Sequence, residues 1–193
     1  MASYQSQAAS TTITNRQLVL QVEEMLNNFT IKDTATNKTF MRSKAKKLSM
    51  RGRMKVYDGN NNLLFDIIQK PFRMRPTFSI RGQDKGEIMR VKFGAMSISR
   101  TAHAKFTTAE GQPVKFTMKS SLVGGMSADI VQEPSKRPVA HVKRKMIGSG
   151  KTLLRTALGQ DTYHVTVQPG VDAALIVAMC ICWDTKKEQQ QRR

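Results

Sequence analysis

Short stretches of the chain alternate hydrophobic and polar residues with period two, and turns rich in Gly, Asn, Asp and Pro separate them. This alternation predicts five β-hairpins in succession. Their strand segments are residues 29–31 with 39–41, 54–57 with 63–68, 78–80 with 88–93, 104–106 with 114–118, and 128–131 with 138–146. Matching positions lie 25, 24, 26 and 24 residues apart, and a fixed period of this size indicates a repeated supersecondary unit.

A further strand at residues 163–167 brings the predicted number to about eleven or twelve. Antiparallel strands in such number leave open edges unless the sheet closes. The pattern therefore predicts a barrel or a sandwich.

Basic residues fall mainly on one face of the predicted strands. Side chains alternate between the two faces of a strand, so the face opposite the apolar residues is the outer one. The basic residues that this alternation places outside are Arg51, Arg53, Lys55, Arg90, Lys92, Lys115 and Lys119.

Residues 171–183 form a run that is apolar on every side. We expect a helix that Asp172 caps and that ends at Asp184. The run of about twelve apolar residues is shorter than the roughly 20 that span a bilayer, so a buried core helix is favoured and no transmembrane span is predicted. A closed barrel of about a dozen strands is too wide for its own side chains to fill. The prediction is therefore a mainly β fold, an antiparallel barrel of about twelve strands that encloses a hydrophobic C-terminal helix.

The predicted domain organisation is a flexible polar tail at residues 1–24, the barrel at 25–185 and a polar tail at 186–193. The first fifteen residues lack the basic start and apolar run of a signal peptide. Cys180 and Cys182 are the only cysteines and lie too close in a helix to bridge each other. This favours a reducing compartment, and we expect a cytoplasmic protein, with peripheral attachment to the membrane or a nuclear location as alternatives.

The closing segment, residues 161–184, resembles that of the LURP-one-related proteins. That family has a Tyr/Phe-x-Val-x-Val strand, then Pro-x-Val-Asp, then an apolar helix ending in Asp. Here residues 163–167 read Tyr-His-Val-Thr-Val, Pro169-Gly170-Val171-Asp172 follows, and Asp184 closes the run. The similarity covers roughly residues 28–185, and its other parts are the hairpin segments 29–33, 55–60, 126–130 and 138–140.

The resemblance implies a twelve-stranded barrel around a C-terminal helix, shared with tubby C-terminal domains and phospholipid scramblases. Tubby domains bind phosphoinositides through basic strand residues, and scramblases associate with membranes. Arg51-Gly52-Arg53 and Arg73-Met74-Arg75 are similar in kind to the Lys-x-Arg motif of tubby domains. The chain lacks the Asp-rich stretch that scramblases carry before their helix, so the resemblance does not extend to calcium-dependent scrambling.

A competing motif is Gly148-Ser149-Gly150-Lys151-Thr152, which looks like the end of a phosphate-binding P-loop. A P-loop needs Gly where this chain has Lys145, and the preceding residues 141–145 are too charged for a buried parallel strand. A loop between two barrel strands is the favoured interpretation.

The remaining chemistry in the sequence is sparse. The three histidines lie far apart in the sequence, and the two cysteines lie in the apolar helix, so neither type shows the spacing of metal ligands. No Ser or Cys has a neighbouring residue that could act as its general base. We therefore expect no metal, no cofactor and no enzymatic activity.

The charge balance indicates the class of partner. With 32 Lys and Arg against 14 Asp and Glu, the net charge is +18, and such a field attracts anions. We expect a non-enzymatic peripheral binder of anionic phospholipid headgroups, phosphoinositides in particular. The alternatives are a nuclear or nucleic-acid-associated regulator that uses the same basic surface, and a scaffold for an acidic protein. The candidate lipid-binding residues are Arg51, Arg53, Lys55, Arg73, Arg75, Lys143 and Lys145.

Overall fold

The computed structural model describes residues 12–25, 28–45, 52–94, 101–120, 127–144 and 160–191. Twelve strands precede the C-terminal helix in these residues. The strands are β1 (Leu18–Met25), β2 (Asn28–Asp33), β3 (Thr39–Ala45), β4 (Arg53–Asp58), β5 (Leu63–Gln69), β6 (Thr77–Arg81), β7 (Glu87–Phe93), β8 (Thr101–Thr107), β9 (Pro113–Ser120), β10 (Ser127–Glu133), β11 (Arg137–Arg144) and β12 (Gln160–Val167), and the helix is α1 (Ala173–Gln191).

All neighbouring strands pair antiparallel and follow the chain order around a closed barrel. Pairing of β1 with β12, from Leu18↔Val167 to Met25↔Gln160, closes the barrel. The closed barrel is therefore confirmed over the sandwich, and so are the five hairpins and the strand at 163–167.

The hairpin turns follow from local side-chain chemistry, as the β4–β5 turn shows. The Asp58 carboxylate accepts hydrogen bonds from the backbone N–H groups of Asn60 and Asn62, at 2.9 and 2.7 Å. A Cβ on Gly59 would lie 2.3 Å from the Thr39 carbonyl oxygen, so only glycine fits this close approach. The predicted turn at 58–60 is confirmed.

The barrel begins earlier than the predicted boundary at residue 25. All of β1 except Met25 lies within the expected tail, residues 1–24, and its side chains alternate between the core and the surface. Glu24 takes an inward position in β1 and is buried, so a charged residue interrupts the apolar period that marks the other strands. Ahead of β1, Ile13 forms a β-bridge with Asp172. The predicted start of the barrel at residue 25 is thus too late, because β1 begins at Leu18.

The apolar half of α1 fills the barrel. Residues 173–182 are all buried, and they share one hydrophobic core with the inward-facing residues of the strands. Asp172 caps the helix as predicted, because its Oδ1 accepts the N–H groups of Ala174 and Leu175 at 2.9 and 3.3 Å. In the described part of the chain, no helix combines the length and apolar character needed to cross a bilayer.

The helix does not end at Asp184, and residues 186–191 are helical rather than a tail. Lys, Glu and Gln, which are good helix formers, dominate this stretch. Gln189 and Gln69 of β5 exchange two side-chain hydrogen bonds, at 3.0 and 2.7 Å. The change to polar residues marks where the helix leaves the apolar core. Beyond that point, the bonds between Gln189 and Gln69 stabilise the helix.

Candidate functional site

Three like charges lie directly opposite one another on the outer face of β7, β8 and β9. Arg90 pairs in register with Lys105, and Lys105 pairs with Lys115. Like charges directly opposite across a sheet destabilise it. We call the outer surface of β7–β9 the basic face, and a local conflict of this kind is typical of a functional surface.

A groove of about 980 Å³ runs over the basic face. This volume lies in the range of small-ligand sites. The ionisable side chains that line it are Arg75, Glu87, Arg90, Lys92, His103, Lys105, Lys115 and Glu133. Five Lys and Arg side chains thus face two carboxylates, and the groove carries a net positive charge.

Both carboxylates of the groove are already engaged. Glu87 accepts hydrogen bonds from Ser79 and Arg90, each at 2.5 Å. Burial raises the pKa of Glu87, but those two hydrogen bonds outweigh burial and lower the pKa overall. Glu133 pairs with Lys136 at 2.5 Å, and the hydrogen bond from Lys136 lowers the pKa of Glu133. Among the residues that the structure describes, none forms an ion pair with Lys92, Lys105 or Lys115.

His103 lies in the same groove, opposite Lys92 in register. Its Nδ1 lies 3.1 Å from the Thr117 hydroxyl. Burial, and next the positive charge of Lys115, lower the pKa of His103 below its usual value. His103 is therefore mainly neutral at pH 7, and the fixed charge of the groove comes from Lys and Arg.

Two of the predicted lipid-binding residues lie on β4, three strands away from the basic face around the barrel. Arg53 and Lys55 of β4 both approach the Asp66 carboxylate of β5, and Lys55 Nζ lies 3.9 Å from Asp66 Oδ1. An anion at this position competes with a carboxylate that is already present. The sequence pattern identified Arg53 and Lys55 as outer residues but did not show their partner.

The other predicted residues lie in a loop, on β11, which is two strands from β9, and in parts of the chain that the structure does not describe. Arg73 and Arg75 are exposed in the loop between β5 and β6, and Arg75 lines the groove. Lys143 is exposed on β11, away from the basic face. Arg51 and Lys145 lie outside the described residues.

The sequence contained the signal for the basic face, but it did not single out the groove. Alternation placed Arg90, Lys92 and Lys115 on the outside, which their strands confirm. Lys105 and His103 were missed as site residues, because the predicted strand 104–106 was too short to show its alternation. That these residues meet follows from the pairing of β7, β8 and β9.

The P-loop-like motif at residues 148–152 lies outside the described residues. The strand that precedes it, β11, pairs antiparallel with both of its neighbours. A P-loop follows a strand of a βαβ unit, which β11 is not. In the described part of the chain, no three His, Cys, Asp or Glu side chains are grouped closely enough to hold a metal ion.

We predict that Cys180 and Cys182 do not react with a thiol reagent in the folded protein. Both are buried in α1, and burial raises the pKa of each thiol, so the reactive thiolate is suppressed. Titration with a chromogenic disulfide reagent should detect both thiols after addition of denaturant and neither before it. Rapid labelling of the native protein would contradict their enclosure in the barrel.

A buried charged network fixes α1 to the barrel wall. The Asp184 carboxylate accepts hydrogen bonds from Arg144 of β11 and from the Tyr163 hydroxyl of β12, the latter at 2.6 Å. The side chains of Arg144 and Asp184 are only 8% and 3% exposed. Burial, and next the charge of Asp184, raise the pKa of Tyr163, which therefore remains a hydrogen-bond donor. This network has a structural role and lies apart from the groove.

Comparison with known proteins agrees with the barrel. Residues 11–184 match the sequence model of a family described as LURP-one-related. A crystal structure of a protein from Arabidopsis thaliana superimposes with a TM-score of 0.57 at 15% sequence identity, covering 92% of this chain and 96% of the other. At this identity the likeness shows the fold alone. No curated protein matches the sequence.

Proposed function

This chain belongs to the LURP-one-related family, and we propose that it is a non-enzymatic, peripheral binder of anionic phospholipid headgroups. We place the headgroup in the groove of the basic face, with Lys92, Lys105 and Lys115 as its main contacts. The proposal includes a cytoplasmic protein that reaches the membrane surface through electrostatic attraction.

The observation that supports this proposal is the cross-strand row of three cations, Arg90, Lys105 and Lys115. Each lysine near an anionic membrane surface contributes about 1 kcal/mol of attraction. A polyanionic headgroup bound between these strands relieves the repulsion that their register creates. Glu87 bonds to Arg90 and Glu133 bonds to Lys136, which leaves Lys92 and Lys105 available for phosphate oxygens, while Lys115 also lies opposite Glu133 in register.

Nucleic acid is the alternative partner for the same surface, and the groove favours it less. Recognition of single strands relies on exposed aromatic rings that stack on bases. Phe93 and Phe106 line the groove but are buried in the core, and the imidazole of His103 is the one partly exposed aromatic ring among the groove residues that the structure describes. Duplex DNA could still bind the lysines through its phosphates, and the experiment below therefore includes it.

Reversing two charges in the groove, with Lys92→Glu and Lys105→Glu together, is expected to weaken binding to anionic vesicles by roughly thirtyfold or more. Loss of two lysines removes about 2 kcal/mol of attraction, and the new carboxylates add repulsion. The measurement is sedimentation with phosphatidylcholine vesicles, with and without phosphatidylserine and a phosphoinositide, at several salt concentrations.

The matched control reverses Arg42 and Lys44, which are exposed on β3, five strands away from β8 around the barrel. This variant has the same net charge as the groove variant, so we expect it to weaken binding much less. Equal losses would indicate a diffuse field without a site, and a larger loss at β3 would move the site to the β3–β4 face. If the parent protein binds duplex DNA with a steep salt slope and ignores vesicles at low salt, the lipid proposal is wrong.

A further inference from the structure

The loop between β5 and β6 exposes two large hydrophobic side chains. Three large hydrophobic residues are exposed in the described chain, and two of them, Phe72 and Met74, lie in this loop. Both are completely exposed, whereas the third, Met25, is about half exposed. Single exposed hydrophobic residues are common, but two at alternate positions of one tight loop form a local apolar tip. We call residues 70–76 the β5–β6 loop.

Cations alternate with these apolar residues. The loop reads Lys70-Pro71-Phe72-Arg73-Met74-Arg75-Pro76 and contains no acidic residue. Arg73 and Arg75 are exposed between and beside the apolar side chains. Apolar side chains in the acyl region, with Arg and Lys at the level of the phosphates, are the arrangement that binds to the surface of an anionic bilayer.

The base of the loop is held by the barrel. The Lys70 N–H donates to the Thr77 carbonyl at 2.8 Å, and the Thr77 hydroxyl donates to the Arg75 carbonyl at 2.9 Å. Phe72 adopts a φ of 54°, in the left-handed region that bulky residues rarely occupy. The base of the loop is therefore tied to the start of β6, and the tip projects beyond the barrel wall.

The loop and the groove are neighbours, because Arg75 belongs to both. We propose that the β5–β6 loop inserts Phe72 and Met74 into the headgroup–acyl boundary of an anionic membrane while the groove binds a headgroup. This inference rests on the proposed function, and it adds an apolar contact to the electrostatic one. The proposed partner of Phe72 and Met74 is a lipid bilayer. The competing partner is a groove on another protein, which would receive the same two side chains.

The experiment compares binding to a bilayer with binding to a soluble headgroup. The double variant Phe72→Ala with Met74→Ala is expected to bind vesicles containing phosphatidylserine and a phosphoinositide at least roughly tenfold more weakly, since affinity scales with the apolar area inserted. Its affinity for a soluble inositol phosphate should equal that of the parent protein. The groove variant, Lys92→Glu with Lys105→Glu, should lose both kinds of binding.

A second measurement reports insertion directly. In the Phe72→Trp variant, the introduced indole is expected to shift its emission to the blue and to be quenched by brominated lipids when anionic vesicles are added. Trp183 is the only native tryptophan and packs against the core, so the parent protein provides the background signal.

The outcomes separate the two proposals. If vesicles bind but the introduced indole neither shifts nor is quenched, or if the alanine variant binds vesicles as tightly as the parent, the insertion is wrong and the headgroup site stands. Binding of inositol phosphate without any binding to vesicles also overturns insertion alone. If neither vesicles nor inositol phosphate bind the parent protein, both proposals fail.

Discussion

Replacing Asp184 with alanine is expected to lower the free energy of unfolding by about 3–5 kcal/mol, because removing one partner of a buried ion pair leaves the other charge in a low-dielectric site. The carboxylate receives hydrogen bonds from Arg144 and Tyr163, and it joins α1 to β11 and β12. Urea unfolding followed by circular dichroism provides the measurement.

Two further variants test this explanation. Asp129→Ala is the matched control, because the Asp129 carboxylate also has a polar side-chain partner, with Oδ1 2.7 Å from Nδ1 of His141, but is 74% exposed. We expect a change within about 0.5 kcal/mol there. Replacing both partners, with Arg144→Met and Asp184→Leu, should recover much of the lost stability, since an apolar pair has no desolvation penalty. If the double variant is no more stable than Asp184→Ala, the loss has another origin than the buried charge.

Truncating the centre of the helix should have an effect of similar size. We expect Met179→Ala to lower the free energy of unfolding by about 2–5 kcal/mol, because Met179 is fully buried and the barrel wall cannot collapse into the resulting cavity. The same urea titration measures the change.

The chain contains a matched control for this substitution as well. Met74→Ala makes the same chemical change at a completely exposed position, so its stability should remain within about 0.5 kcal/mol of the parent protein. A small loss at Met179 would mean that the barrel repacks around a shortened helix. It would contradict a tightly filled interior.

Much of the fold could be predicted because its units are local. Alternation over a few residues, together with turn chemistry such as that of Asp58 and Gly59, specifies each hairpin without reference to the rest of the chain. β1 escaped prediction because the buried Glu24 breaks that alternation. The helix extends past Asp184 because good helix formers follow and Gln189 bonds to Gln69 of β5. Asp184 is not an end signal, since its carboxylate bonds to Arg144 and Tyr163 of the barrel wall.

The site could be predicted only in part. The alternation correctly placed Arg90, Lys92 and Lys115 on the outer face. It does not distinguish cations that have a carboxylate partner from cations that have none. Arg53 and Lys55 satisfied the same pattern and proved to face Asp66. Which cations remain available to a ligand depends on the cross-strand neighbours, and those come from other parts of the chain.

The sequence by itself determined the succession of hairpins, the apolar helix with its Asp172 cap, and the outward direction of the strand lysines. Hydrophobic period and turn residues encode these features within short segments. Only the tertiary structure decided that β1 closes the barrel, that β7–β9 gather their charges over one groove, and that Phe72 and Met74 project beside it. These features depend on which distant residues become neighbours, and closure of the sheet around α1 sets those neighbours.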